Sequence, residues 1–341
     1  MNRTSEITNA RPSAPLSWKV AAVVGSSALS LALVELILRL FFSSDFYIHE
    51  NEKNLTYRYD PRLGWFPIPG SQKTLHGMRT ISVVHNHDGF RDLEHSKTSD
   101  KPRLLFLGDS FVWGFEVNAA ERFTDKLQVR HPEWDIYNCG VSGYGTDQEY
   151  LLLQQWFDRY RPSLVLLVFC TENDRFDNRL NFRDKAYYKP YFTTNSQGLE
   201  LQGVPVPRSE RSIFSGHRLL GCSYFLRMLV RCSCNLHAQI EEVPDPTHSI
   251  IAELQKFLQA RGTQLAVGVT ATDKSLQRFL SQSGIPCLDL STTNRFHYDG
   301  HWTPVGHDFV CSQIEAFLNS QTYLTKSSRQ SNVQNVNNGH R

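Results

Sequence analysis

Six consecutive apolar residues, Leu164 to Phe169, constrain the fold more than any other stretch of this chain. They are too few for a membrane helix and show no polar alternation, so as a strand they need apolar cover on both faces. A strand of that kind belongs inside a parallel sheet with helices on either side. Leu104 to Leu107, Ile136 to Asn138, Gln264 to Thr270 and Cys287 to Leu290 read as further short strands. Helical patterns fall between them, at Glu121 to Arg130, Thr146 to Tyr160, His248 to Ala260 and Lys274 to Leu280. A last helix is expected to start at Thr303, with Pro304 at the first helical position, where a missing N–H does no harm. This alternation predicts an α/β fold with a parallel central sheet over residues 101–322. Residues 175–245 interrupt it with a polar and aromatic stretch through Tyr187, Tyr188 and Tyr191 and a helix from Leu219 to His237, and read as an insertion.

The chain before the sheet divides in two. Val20 to Val34 carries no charge, and after Glu35 the run continues to Phe42. As a helix, Val20 to Phe42 spans roughly 34 Å, enough for a hydrocarbon core of about 30 Å. Glu35 and Arg39 stand four apart and are expected to pair near the membrane surface. Residues 20–42 therefore read as a transmembrane signal anchor, and a cleaved signal peptide is the other reading of the same run. Arg3, Arg11 and Lys19 precede it, which leaves residues 1–19 in the cytoplasm and exports the rest as a single-pass protein of the cytoplasmic membrane. Residues 43–100, with Tyr57, Tyr59, Trp65, Phe66, Ile81, Val83 and Val84 among turn residues, read as a membrane-proximal β-rich segment. Residues 323–341 are poor in apolar side chains and read as a disordered tail.

Charge and cysteine content exclude several functions. Lys and Arg total 36 against 34 for Asp and Glu, a net charge of only +2, so no chain-wide field draws in nucleic acid. The seven cysteines are scattered and include no Cys-x-x-Cys pair, which argues against zinc-ribbon and thioredoxin-like chemistry. His85 and His87, and His297, His301 and His307, invite a metal reading but lack the companion ligands and spacing of a metal motif.

Four short motifs follow the strands or precede the last helix, where open α/β sheets bind ligands. They are Gly108-Asp109-Ser110 with Gly114; Asn138, Gly140 and Gly143; Glu172-Asn173-Asp174; and Asp299-Gly300-His301-Trp302. A serine hydroxyl needs a base, and an imidazole needs a carboxylate to fix its tautomer. Ser110, His301 and Asp299 supply those types, and the N–H groups of Ser110 and Gly143 with the Asn173 amide supply three donors for an oxyanion. Asp109 reads as a turn-holding residue. Ser142, in Gly140-Val141-Ser142-Gly143-Tyr144, is a rival nucleophile because it nearly spells a G-x-S-x-G elbow, with Tyr144 in the final glycine position.

These four blocks, in this order, resemble the SGNH or GDSL hydrolase family across roughly Leu104 to Leu318. The resemblance implies a flavodoxin-like three-layer α/β/α fold and ester hydrolysis through an acyl-enzyme on Ser110, with no metal or organic cofactor. One position departs from the commoner pattern: Tyr298 stands three residues before His301, and Asp299 stands two before it. The Asp-x-His-Trp arrangement is similar to that of membrane-associated polysaccharide O-acetyltransferases of the alginate type. The expected activity is thus hydrolysis of an O-acyl ester, in a small molecule or an envelope or secreted glycan. Acyl transfer to a sugar with a membrane acyl-donor partner is the alternative, and a non-catalytic membrane-anchored binding module is a second.

Overall fold

The computed structural model describes residues 15–45, 51–96, 99–183, 187–216, 220–237 and 240–320. The expected tail at 323–341 and most of the expected cytoplasmic segment lie outside these residues.

Five parallel strands form the central sheet: Arg103–Gly108, Asp135–Asn138, Leu164–Phe169, Gln264–Val269 and Cys287–Asp289. Numbered along the chain, their spatial order is 2-1-3-4-5, the doubly wound order of flavodoxin-like folds. Pairing of Leu104 with Leu164 and Leu105 with Val165 sets the register at the centre of the sheet. Alternate side chains then enter two cores. Leu105, Leu107, Val165, Leu167 and Val267 meet the helices Thr146–Tyr160, Thr247–Gln259 and Lys274–Gln282, while Leu104, Phe106, Leu166, Val168 and Ala266 meet the helices Phe123–Arg130 and Pro304–Ser320. The apolar run Leu164–Phe169 is buried along its whole length, and each such Leu or Val contributes roughly 1.5–3 kcal/mol by leaving water. The result is a three-layer α/β/α sandwich.

Several ends differ from the sequence reading for local reasons. The last helix starts at Pro304 because the Thr303 hydroxyl accepts the Gly306 N–H at 3.2 Å and acts as its cap. The expected helix Leu219–His237 is a short 3₁₀ turn, Leu220–Cys222, followed by a helix Tyr224–His237. Ser223 stops the turn there, since its hydroxyl accepts the Leu226 N–H at 3.3 Å. The apolar N-terminal helix runs from Leu16 to Phe41, 26 residues, four residues earlier than the charge-free run suggests. Its apolar window is not buried within the chain, and at about 1.5 Å per residue it reaches about 39 Å. Glu35 and Arg39 pair at 2.7 Å, and Glu35 also accepts the N–H groups of Tyr224 and Phe225 at 3.0 and 2.9 Å. The apolar helix is thereby joined to the start of Tyr224–His237.

Between that helix and the sheet lie two antiparallel hairpins, Tyr57–Asp60 with Gly64–Pro67 and Gln72–His76 with Thr80–Val84. A short helix, Glu52–Thr56, precedes them and has no counterpart in the sequence reading. Its cap is Asn51, whose side chain accepts the Asn54 N–H at 3.0 Å. The interruption at 175–245 contains a hairpin, Tyr191–Asn195 with Gly198–Gln202, besides the helix Tyr224–His237.

Candidate active site

The candidate residues lie beyond the carboxyl ends of the strands Arg103–Gly108 and Leu164–Phe169, which are neighbours on either side of the switch in strand order. Asp109 leaves the first strand and caps the single turn Ser110–Trp113, its Oδ1 accepting the Phe111 N–H at 2.9 Å. That fixes the start of the turn and presents Ser110 at the strand end. From the far end of the chain, the loop before Pro304–Ser320 brings His301 back across the sheet. His301 Nε2 lies 2.7 Å from Ser110 Oγ. The imidazole packs on Phe111 and Phe115, with ring centroids 5.0 and 4.7 Å away, and Trp302 beside it is fully buried in the core.

Asp299 holds this loop in two ways. Its Oδ1 accepts the His301 backbone N–H at 3.0 Å, and its Oδ2 lies 3.2 Å from His301 Nδ1. The second contact has ion-pair distance but not the alignment of a hydrogen bond, since Nδ1 has no hydrogen-bond partner among the described residues. Partial burial disfavours the Asp299 carboxylate, yet its contacts with the His301 ring and N–H outweigh this and hold its pKa below the usual carboxylate range.

The three expected oxyanion donors are the N–H groups of Ser110 and Gly143 and the Asn173 amide. Among the described residues, neither the Ser110 N–H nor the Gly143 N–H has an acceptor. Backbone N–H groups are rarely left so, and an oxyanion is a ligand they suit. Asn173 Nδ2 donates one hydrogen to Asp109 Oδ2 at 3.2 Å, which keeps the amide beside the turn Ser110–Trp113. Gly143 has φ +78°, a conformation open to glycine at little strain. Gly140 is required by space, because a Cβ there would stand 2.4 Å from the Trp113 backbone nitrogen. Asn138 ties the neighbouring turns together: its amide donates to Val112 O at 2.8 Å and to Thr124 Oγ1 at 2.9 Å, and its Oδ1 accepts the Gly140 N–H at 3.0 Å.

Ser142 is held elsewhere. It is buried, its hydroxyl donates to Glu52 Oε1 at 2.9 Å, and its N–H donates to the Tyr57 hydroxyl at 3.2 Å. The histidines do not converge. His307 is buried against Phe123 and its Nδ1 accepts the Phe123 N–H at 3.3 Å, while burial holds its pKa well below the usual value. His85 sits with Ser71 in the segment before the sheet, at 3.0 Å.

Two features of the surroundings carry little or no sequence signal. The first is a buried acidic group that includes Asp109. Ligand atoms of Asp109, Cys170 and Asp174 lie within 4.8 Å of one another, the nearest approach to a metal-ligating set among the described residues. Burial and the neighbouring acids push the pKa values of Asp174 and Glu149 well above the usual range, and burial does the same to the Cys170 thiol. Groups that keep their protons make a poor cation site, because metal ligands must be deprotonated. The second feature is the cover supplied by residues 52–67. Trp65 Nε1 donates to Ser142 O at 3.2 Å, and Lys53 Nζ stands 2.5 Å from where a Cβ on Gly143 would be. Only the aromatic richness of this stretch hinted that it packs on the sheet domain.

No family model matches the chain, and no curated protein matches it. Solved structures similar to it include lipolytic proteins and esterases. A lipolytic protein of the G-D-S-L family from Veillonella parvula is 12% identical over 64% of this chain and 98% of its own, with a TM-score of 0.37. A psychrotrophic esterase, EstA, from Pseudoalteromonas is 11% identical over 64% of this chain and 100% of its own, with a TM-score of 0.39. An acetyl xylan esterase is 10% identical over 63% of this chain and 98% of its own, with a TM-score of 0.37.

Proposed function

We propose that this chain is a serine-dependent carboxyl-ester hydrolase of the SGNH type, with Ser110 as nucleophile, His301 as base and then acid, and Asp299 as the group that orients the imidazole. The observation that carries this reading is the 2.7 Å contact of His301 Nε2 with Ser110 Oγ, beside two N–H donors that have no acceptor among the described residues. Nε2 takes the hydroxyl proton as Oγ attacks the carbonyl carbon, and the N–H groups of Ser110 and Gly143 receive the oxyanion. Asn173 stands ready as a third donor. The imidazolium then gives its proton to the leaving alcohol oxygen, the C–O bond breaks, and an acyl group remains on Ser110. Water repeats the sequence and releases the acid. The Asp299 carboxylate stabilises the imidazolium in both halves. No step requires a cofactor.

The apolar helix Leu16–Phe41 supports a single-pass anchor in the cytoplasmic membrane, and Lys19 with Arg3 and Arg11 favours a catalytic domain on its outer side. On that side the reading we favour for the substrate is an O-acyl group, acetyl above all, on an envelope or secreted glycan.

The test incubates the purified protein with p-nitrophenyl acetate beside a Ser110→Ala variant and follows p-nitrophenolate release and the mass of the protein. A Ser110-dependent burst with an acetyl adduct is expected, with turnover in water. Turnover only after adding an acceptor glycan would redirect the assignment to acyl transfer. Equal behaviour of the two proteins, with no adduct for any chain length, would overturn the reading in favour of a binding module.

A further inference from the structure

We propose that Tyr224–His237 is an interfacial helix, which lays one apolar face into the outer leaflet of the membrane that Leu16–Phe41 crosses. The inference goes beyond the esterase reading and rests on the single-pass reading given above. At about 100° per residue, Phe225, Leu226, Met228, Leu229 and Cys232 fall on one stripe about 160° wide. None of them is buried, and Leu229 is 47% exposed. A helix of nearly the same length in the sheet domain, Thr247–Gln259, buries Ile250, Ile251, Leu254 and Leu258. The opposite face is the one the rest of the chain holds. Arg231 Nε donates to Glu210 Oε2 at 2.7 Å, in the helix Glu210–Gly216, and Cys234 Sγ donates to Arg208 O at 3.4 Å. An open apolar stripe on a helix whose other face is held this way suits a lipid surface.

Attachment to the apolar helix says which surface covers the stripe. Glu35 accepts the Ser223 hydroxyl at 2.9 Å, together with the N–H groups of Tyr224 and Phe225. Arg39 pairs with Glu35 and donates through Nη2 to Cys222 O at 2.5 Å. Both charged residues between Val20 and Phe42 therefore serve the start of Tyr224–His237. A carboxylate in a spanning helix is costly without a partner, and the positive end of a second helix supplies one. Leu38, the buried residue of Leu16–Phe41, stands three after Glu35 and so on the same side of that helix. Glu35 stands six residues before Phe41, about 9 Å along the axis. An interfacial helix sits about 5–10 Å into the boundary of headgroups and acyl chains, so this attachment holds Tyr224–His237 at the depth such a helix takes. The helix belongs to the interruption at 175–245, which gives the sheet domain a second contact with the membrane besides the chain that follows Phe41.

The test uses the full chain in phosphatidylcholine vesicles, with Cys222, Cys234 and Cys287 replaced by Ser and one nitrobenzoxadiazole label on the native Cys232. Two reference chains, with Cys232 replaced as well, carry the label at Ala28→Cys in the apolar helix or at Val129→Cys, where the side chain is 81% exposed on the sheet domain. Nitroxide lipids then quench whatever label they touch, the nitroxide lying either high on the acyl chain or near its end. The Cys232 label is expected to lose at least about half of its fluorescence to the high nitroxide and less to the deep one. Ala28→Cys is expected to show the reverse order, and Val129→Cys to lose less than about a tenth to either. Quenching at Cys232 no greater than at Val129→Cys overturns the proposal. So does a Cys232 label with blue-shifted emission that neither nitroxide quenches, which marks a protein surface, a second copy of this chain included, as the cover. If labelling Cys232 abolishes the cooperative melting transition, Leu229→Cys replaces it under the same criteria. An Ala28→Cys label that neither nitroxide quenches instead refutes the single-pass reading, and the depth assigned from it falls with it.

Discussion

Replacing Asp299 with Asn keeps the shape of the side chain and an acceptor for the His301 N–H, and removes the charge that faces Nδ1. Because the 3.2 Å contact is poorly aligned for a hydrogen bond, the loss is mainly Coulomb attraction for the imidazolium that forms when Ser110 gives up its proton. At 3.2 Å and an effective dielectric constant of about 20, that attraction is about 5 kcal/mol. The two side chains are 18% and 20% exposed, and the water they meet brings it to roughly 2–3 kcal/mol. At about 1.4 kcal/mol per tenfold, kcat/KM is expected to fall roughly 30- to 150-fold in Asp299→Asn. Stability has its own signature. The folded-state pKa of Asp299 is depressed, so its contribution is present above the ordinary carboxylate range and is lost as pH falls through the folded value. Wild type and Asp299→Asn should therefore differ in melting temperature at pH 7 and converge in acid. The assay is p-nitrophenyl acetate turnover with parallel melting curves. A kcat/KM within threefold of wild type, in a protein that Ser110→Ala inactivates, would refute the role given to Asp299.

Three other perturbations test separate parts of the structure. Gly143→Ala places a Cβ at φ +78° and 2.5 Å from Lys53 Nζ, so kcat should drop by about 100-fold with a stability loss of about 1–3 kcal/mol; near-normal kcat would count against the oxyanion pocket. Lys189 and Asp147 form an ion pair with both side chains fully buried, and Lys189→Met should cost about 3–5 kcal/mol in urea unfolding, with a loss below about 1 kcal/mol counting against it. Burial holds the His85 pKa down at about 4, so its neutral form adds stability that is complete above about pH 6.5 and fades as pH falls towards 4, by at most about 3 kcal/mol. His85→Gln should flatten the stability profile in that window, and an unchanged profile would show that another group titrates there.

What could be read from the sequence was whatever depends on short-range pattern. The run Leu164–Phe169 announced a strand covered on both faces, and the motifs at Gly108-Asp109-Ser110 and Asp299-Gly300-His301 lie at strand and helix ends because those residue types make turns there. Contacts set by long-range approach could not be read. Nothing in Asn51-Glu52-Lys53-Asn54 distinguishes a surface turn from a helix that places an ammonium over Gly143, since that depends on how Trp65 and Tyr57 dock about 80 residues away. The same limit hid the acidic group: Glu149 sits in the first turn of Thr146–Tyr160, where an acid is ordinarily solvated, but here it is fully buried near Asp174 and Asp109.

The segment after the apolar N-terminal helix also bears on where the folding unit begins. By sequence, residues 43–100 read as a β-rich segment packing on a separate domain that starts at 101. The core crosses that line: Tyr57, Leu63, Trp65, Phe66 and Phe90 belong to the same buried cluster as Leu105, Leu107, Val165 and Val267. Tyr144 and Gln148 add hydrogen bonds, to the carbonyls of Trp65 and Leu63 at 2.5 and 2.7 Å. At roughly 1.5–3 kcal/mol for each large apolar side chain taken from water, removing those five forfeits about 8–15 kcal/mol, comparable to the whole stability of an ordinary domain. A chain cut to residues 101–320 is therefore expected to lack a cooperative melting transition and ester turnover, whereas one that begins at residue 43 should keep both. Should the shorter chain melt cooperatively near the temperature of the longer one, these residues are a cover and not part of the core. If it melts normally but has lost turnover, the segment serves chemistry alone, through its hold on Ser142 next to Gly143.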